Sequence, residues 1–165
     1  MGTELPSTVV ARCYTSIGVF TSNLADCENG EVHGTGVAEA IIDIAPQAAP
    51  YIATVSSGAD SVATATWMTE QGVTVINRSL SKIWEGPGDS TSPFSTSVFG
   101  MIDAAVSGGA LFANSAGNSA KKTWYGSFSN SDGNRFHEFQ GLDETNEITV
   151  SSGQEVVVEL RWDDS

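Results

Sequence analysis

The apolar positions along the chain switch between two periods, and the switching lays out the elements. Residues 5–20 hold two β-branched and aromatic runs, 8–11 and 13–20, which predict a strand and its surroundings. Residues 21–31 are polar and predict a loop. From residue 33 the period lengthens. Val37, Ala40, Ile41 and Ile44 recur at helical spacing. Pro46 ends that run, because it lacks an N–H and disfavours the α region in the residue before it. Such a helix is expected to bury its body and to hold His33, at its start, against a cleft. Gly34 and Gly36 leave the first turn without side chains, open to close approach by another backbone.

The same reading continues along the chain. Residues 51–55 predict a strand, and 58–71 a helix with Val62, Ala65, Thr66 and Thr69 as its stripe and Gly72 where a C-cap is wanted. Residues 73–77 are largely apolar and predict a parallel strand covered on both faces. A Gly/Pro/Ser-rich loop over 84–93 leads to a helix over 94–107, with Val98, Ile102 and Ala105 along one side and Gly108-Gly109 closing it. Residues 110–113 predict the next strand. Helix and strand alternate, so the expected fold class is α/β, a parallel sheet built from βαβ units. Ligands in such sheets sit at the carboxyl ends of the strands, where Ser79 and Asn118 fall.

At about residue 121 the texture changes. Short alternating segments at 124–128, 135–139, 147–150 and 156–162 are separated by turn signals at 131–134, 143–146 and 151–154. They predict a β-meander or the start of a β-sandwich. Two parts are expected: an α/β core over 1–120 and a β-rich inserted or accessory segment over 121–165.

Composition narrows the partners. The chain has 165 residues, enough for one domain with a real core, and 40% hydrophobic against 16% charged residues excludes a mainly disordered chain. Twenty acidic residues against seven basic ones give a net charge of −13, which repels phosphate backbones and anionic lipid. Nucleic acid and the membrane surface are therefore not expected partners. No apolar run approaches membrane-spanning length, so no membrane insertion is expected. The Met-Gly-Thr-Glu start has neither a basic nor an apolar leader region, and the expectation is either a removed signal peptide or a chain cut from a longer one. Cys13 and Cys27 can close one disulfide in an oxidising compartment, but two thiols do not decide the compartment.

Three stretches carry the chemistry: His33-Gly34-Thr35-Gly36-Val37-Ala38, then Val75-Ile76-Asn77-Arg78-Ser79-Leu80-Ser81, then Ser115-Ala116-Gly117-Asn118. In this order they resemble the subtilisin-like serine proteases, whose histidine lies in an HGTxVA motif, whose substrate strand reads VINMSLG and whose oxyanion asparagine lies in an AAGN-type motif. The resemblance runs from about His33 to Ser119. It implies a three-layer parallel sheet of subtilisin type and a secreted or extracellular endopeptidase acting on peptide or protein substrates. His33 would be the general base, suited by an imidazole pKa near working pH. Asn118 would donate to the oxyanion. Ser79, Leu80 and Ser81 would run beside the substrate backbone, and Ser115, Ala116 and Gly117 would wall the specificity pocket. Ser81 stands where the family usually has glycine, which changes the pocket's width and depth. No cofactor is required. Members of the family often hold structural calcium, and the resemblance carries no particular ligand over to this chain.

Two family motifs are absent. No D-T/S-G precedes His33 and no GTSxA follows Asn118, so the triad's aspartate and serine are not among these residues. The expectation is a piece of a catalytic domain that does not hydrolyse peptides alone. The alternative is an inactive subtilase-like binding or scaffold module. Asp26, Glu28 and Glu31 lie near His33 in sequence and could orient its ring, although solvated loop carboxylates are the simpler reading. Cys27, His33 and Asn118 stand in the papain-like order, in a context that does not match that family. His137 reads as a strand surface residue. Two histidines without HExxH or CxxC spacing argue against zinc. Residues 130–134 lack the spacing of a calcium loop and read as a hairpin turn.

Overall fold

The computed structural model describes residues 5–28, 30–80, 86, 91–118, 123–158 and 160. The chain divides into one unit running to Ala116 and a second over Gly117–Leu160.

The first unit is mixed α/β. Its elements in chain order are β1 (Val10–Ser16), β2 (Val19–Thr21), a one-turn 3-10 helix (Leu24–Cys27), α1 (His33–Ile44), β3 (Tyr51–Thr54), α2 (Gly58–Glu70), β4 (Val75–Arg78), α3 (Val98–Ser107) and β5 (Leu111–Asn114). The expected single parallel sheet is split in two. One sheet has the order β2-β1-β3, with β1 parallel to β3 and antiparallel to β2; the other pairs β4 with β5 in parallel. The expected first strand is a hairpin instead, turning at Ile17-Gly18, where Gly18 adopts φ +73°. A left-handed turn position of this kind favours glycine.

Both sheets rest on the same core. Ala65, Met68, Ile76, Met101, Ala105 and Ala110 form its buried centre, with Tyr51, Ala53 and Phe112 from the strands packed against it. The α2 stripe differs from the expected one. Thr64, Ala65 and Met68 are buried, whereas Thr66 is exposed and returns its hydroxyl to Val62 O. Thr66 satisfies its own polar group locally, so the helix has no need to bury it. Helix α3 starts at Val98 rather than residue 94, because Ser97 is extended and its side chain accepts from Gly100 N as an N-cap. Its buried line is Met101 and Ala105, with Val98 and Ile102 half-buried beside them. At the end of α3, a Cβ on Gly108 would lie 2.4 Å from Thr69, so the two helices meet there only because the residue is glycine.

Helix α2 is also tied to the hairpin. The Ser57 side chain caps its N-terminus, accepting from Asp60 N, and buried Asp60 accepts from Gly18 N at 2.9 Å and from the Ser57 hydroxyl at 2.8 Å. The polar segment 21–31 is shaped by the 3-10 helix, capped by Asn23, and by a disulfide between Cys13 on β1 and Cys27 at the helix end. The bond spans 14 residues, and Cys13 is fully buried. Replacing both cysteines by serine is expected to lower stability by about 3 kcal/mol, the chain-entropy value for such a loop. Urea unfolding of the variant against the oxidised chain measures it. A difference under about 1 kcal/mol would mean that the unfolded loop is already constrained.

Helix α1 corrects an expectation. None of its residues is buried, and Ile44 is 88% exposed. The predicted apolar face exists as a pattern, but Ile41 and Ile44 are exposed and Val37 is only half-buried. No helix among them is long and apolar enough to cross a membrane.

The second unit corrects another. The strands expected at 124–128, 135–139, 147–150 and 156–162 do not form among the described residues, whose single ladder is the isolated bridge Gln140–Asp143. A strand needs a neighbour to take its backbone groups, and Ile148, Val157 and Val158 stay exposed. What is ordered is a knot of side chains. Trp124, Phe128 and Phe139 surround the His137 ring, which is half-buried rather than on a strand surface, and its Nδ1 accepts from Ser129 N. Next to it, buried Glu138 takes bonds from the Ser131 hydroxyl, the Ser129 hydroxyl and Ser131 N. The two hydroxyls, Ser131 foremost, hold its carboxyl below the usual range. Residues 130–134 make an Asx turn, in which Asp132 accepts from Asn134 N, and not a hairpin between strands.

Candidate functional site

The carboxyl ends of β4 and β5 lie side by side because the two strands pair in register, Arg78 opposite Asn114. The ladder continues one step further, with Ser115 N donating to Arg78 O at 3.1 Å. Arg78 Nη1 then bridges the strand ends, donating to Asn114 Oδ1 and to Leu80 O, each at 2.9 Å. The Ser115 hydroxyl donates to the same Leu80 carbonyl at 3.1 Å, and Asn114 Nδ2 closes the set onto Ser115 O. Ser79 and Leu80 are thereby held in a fixed path as they leave β4. Asn77 adds a bond from its amide to Ser79 Oγ at 3.0 Å.

His33 meets this path. Its Nε2 lies 2.9 Å from Ser79 O, a pairing across 46 residues of chain. A carbonyl oxygen can only accept, so Nε2 carries the proton and, in the neutral ring, Nδ1 is bare. No carboxylate hydrogen-bonds to the ring among the described residues. Asp26 is engaged by the Thr21 hydroxyl at 2.6 Å, while Glu28 and Glu31 do not reach the histidine. The nearby acids therefore do not orient His33.

Beside His33 the open face of α1 forms one wall of a groove of about 450 Å³, lined by Val37, Ala40, Ile41, Ile44 and Ala45 and, across it, by Asn77 and Ser79. The groove is mostly apolar, with polar groups only on the β4 side.

Of the residues singled out from the sequence, the structure brings together His33, Ser79, Leu80 and Ser115. Ala116 is exposed at the end of the first unit. Gly117 and Asn118 open the second unit; Gly117 has φ +75° and Asn118 is exposed, with no hydrogen bond to its side chain among the described residues. Ser81 lies outside the described residues. Arg78, Asn77 and Asn114 had no role in the sequence reading. The signal for Arg78 was a charge at the end of an apolar strand, which becomes informative only once β5 places Asn114 opposite it.

The papain-like order of Cys27, His33 and Asn118 is overturned: Cys27 is in a disulfide and has no thiolate to offer. Among the described residues no group of three or more His, Cys, Asp or Glu side chains could hold a metal ion. Compared with protein families, curated proteins and solved structures, the chain matches none.

Proposed function

We propose that this chain is the central part of a subtilisin-like serine endopeptidase domain, with His33 as general base and Asn118 as oxyanion donor. Ser79, Leu80 and Ser81 would run beside the peptide backbone of the substrate, and Ser115, Ala116 and Gly117 would line the specificity pocket. The carrying observation is the contact of His33 with Ser79 O. Two motifs far apart in sequence, which the resemblance assigns to one active site, meet at hydrogen-bond distance.

Two further features support the reading. Among the described residues strands β3 and β4 share no partner, yet both lie over one core. A strand from outside these residues, ending in the triad aspartate, would pair with both open edges and make one continuous parallel sheet. The uncovered apolar face of α1 would seat the segment that carries the serine. The reaction is then acyl transfer. The serine oxygen attacks the peptide carbonyl as His33 takes its proton, the oxyanion is met by Asn118, and His33 returns the proton to the leaving amine.

The test compares the 165-residue chain with a longer chain that adds an upstream D-T/S-G segment and a downstream GTSxA segment. The longer chain is expected to label with a fluorophosphonate probe and to turn over casein, and the shorter to do neither. A folded longer chain that neither labels nor turns over casein would establish the scaffold reading instead. Turnover by the repurified shorter chain would overturn the assignment of the nucleophile.

A further inference from the structure

Away from this groove, Arg12 on β1 sits in an aromatic enclosure. Its guanidinium carbon lies 4.0 Å from the Phe20 ring centre, 5.4 Å from Tyr14 and 5.5 Å from Trp67 of α2. Its Nε is buried with no acceptor, and no ion pair engages the guanidinium among the described residues. That is unusual in a chain with twenty acidic residues and seven basic ones. The carboxylate buried near the hairpin, Asp60, is already committed to Gly18 N and the Ser57 hydroxyl.

The rings hold the cation in place and remove much of its hydration, which cation–π attraction offsets only in part. Arg12 is half-buried, so with Nε covered it is the Nη edge of the guanidinium that faces solvent. A guanidinium fixed in this way has already lost its side-chain freedom, and its edge matches a carboxylate by two parallel N–H donors. The ring nearest the guanidinium, Phe20, is itself 50% exposed, and Ile17 and Val19 of the same hairpin are 72% and 55% exposed. The net charge of −13 works against polyanions at any distance. It works much less against a single carboxylate whose body makes apolar contact.

We propose that Arg12, walled by Tyr14, Phe20 and Trp67, anchors a binding site for a monocarboxylate carried on an apolar body. A peptide carboxyl terminus with an apolar last residue and a medium-chain fatty acid both have this chemistry.

The probes are N-acetylphenylalanine, its carboxamide, and octanoate, each titrated into the 165-residue chain while the Arg12 Nε–H resonance is followed by NMR. N-acetylphenylalanine or octanoate is expected to shift that resonance saturably. Which of the two binds more tightly assigns the source. The carboxamide should bind about tenfold more weakly or not at all, since it offers no anion to the fork. Arg12→Lys keeps the charge but loses the bidentate edge, and should weaken binding of the acid by about fivefold or more, followed in both chains by the indole N–H resonance of Trp67. Equal shifts by acid and carboxamide, or no saturation by either acid up to tens of millimolar, would overturn the proposal. If Arg12→Lys fails to fold, the comparison of acid with carboxamide on the unaltered chain still decides.

Discussion

In the longer chain that carries the aspartate and serine segments, His33→Ala is expected to abolish nearly all acylation. Subtilisin's own catalytic histidine sets the scale, at about 10⁶-fold in kcat. The loss follows from proton accounting, because with no imidazole the serine hydroxyl has no acceptor of suitable pKa within reach. The structure adds a condition. With Ser79 O accepting from Nε2, the proton sits on the nitrogen that must be bare to act as the base. An aspartate accepting from Nδ1–H would move the neutral ring to the other tautomer and free Nε2. Nitrogen NMR of the imidazole should therefore find the Nε2–H form of His33 in the 165-residue chain and the Nδ1–H form in the longer one. A His33→Ala variant that still labels with a fluorophosphonate at the parent rate would remove His33 from catalysis. An Nδ1–H ring in the short chain would show that the Ser79 contact is not the resting state.

The sequence was most legible where local pattern and tertiary burial agree. The run at 73–77 marked β4, whose Ile76 is buried in the core, although Val75 is 57% exposed and the strand is covered on one face and not on both. The helices on either side of it, α2 and α3, were also marked, with a different buried stripe in α2 and a later start in α3. It was less legible wherever a polar side chain decides an element. Ser97 shortened α3 by capping it, and Thr66 stayed exposed by bonding to its own helix. Neither event has a signature in apolar periodicity. The α1 stripe and the segments at 147–150 and 156–158 show the limit of pattern reading. Alternation says which face of an element is apolar, and only a partner buries it or completes its ladder. Of the residues the motifs singled out, His33 meets Ser79 and Ser115 meets Leu80, but the brace that holds them was not visible. Arg78 reaches Asn114 because β4 and β5 pair in that one register, a fact of topology and not of composition.

Asn118→Ala in the longer chain should behave differently from the histidine variant. As the proposed oxyanion donor, the asparagine amide would matter once negative charge has built on the carbonyl oxygen, so its loss would raise the barrier from the bound substrate and leave binding of the ground state almost unchanged. The expected effect is a fall in kcat of about 10²–10³-fold, the range set by subtilisin's own oxyanion asparagine, with little change in KM. A fluorophosphonate should still label the serine, more slowly. The fall cannot be ascribed to misfolding, because Asn118 is exposed and holds no hydrogen bond among the described residues, and such a substitution shifts stability by no more than about 0.5 kcal/mol. Parallel urea curves check that point on the same samples. The ratio of the two kinetic constants then decides the role. A raised KM with unchanged kcat would make Asn118 a ground-state binding residue, and the oxyanion assignment would fall with it.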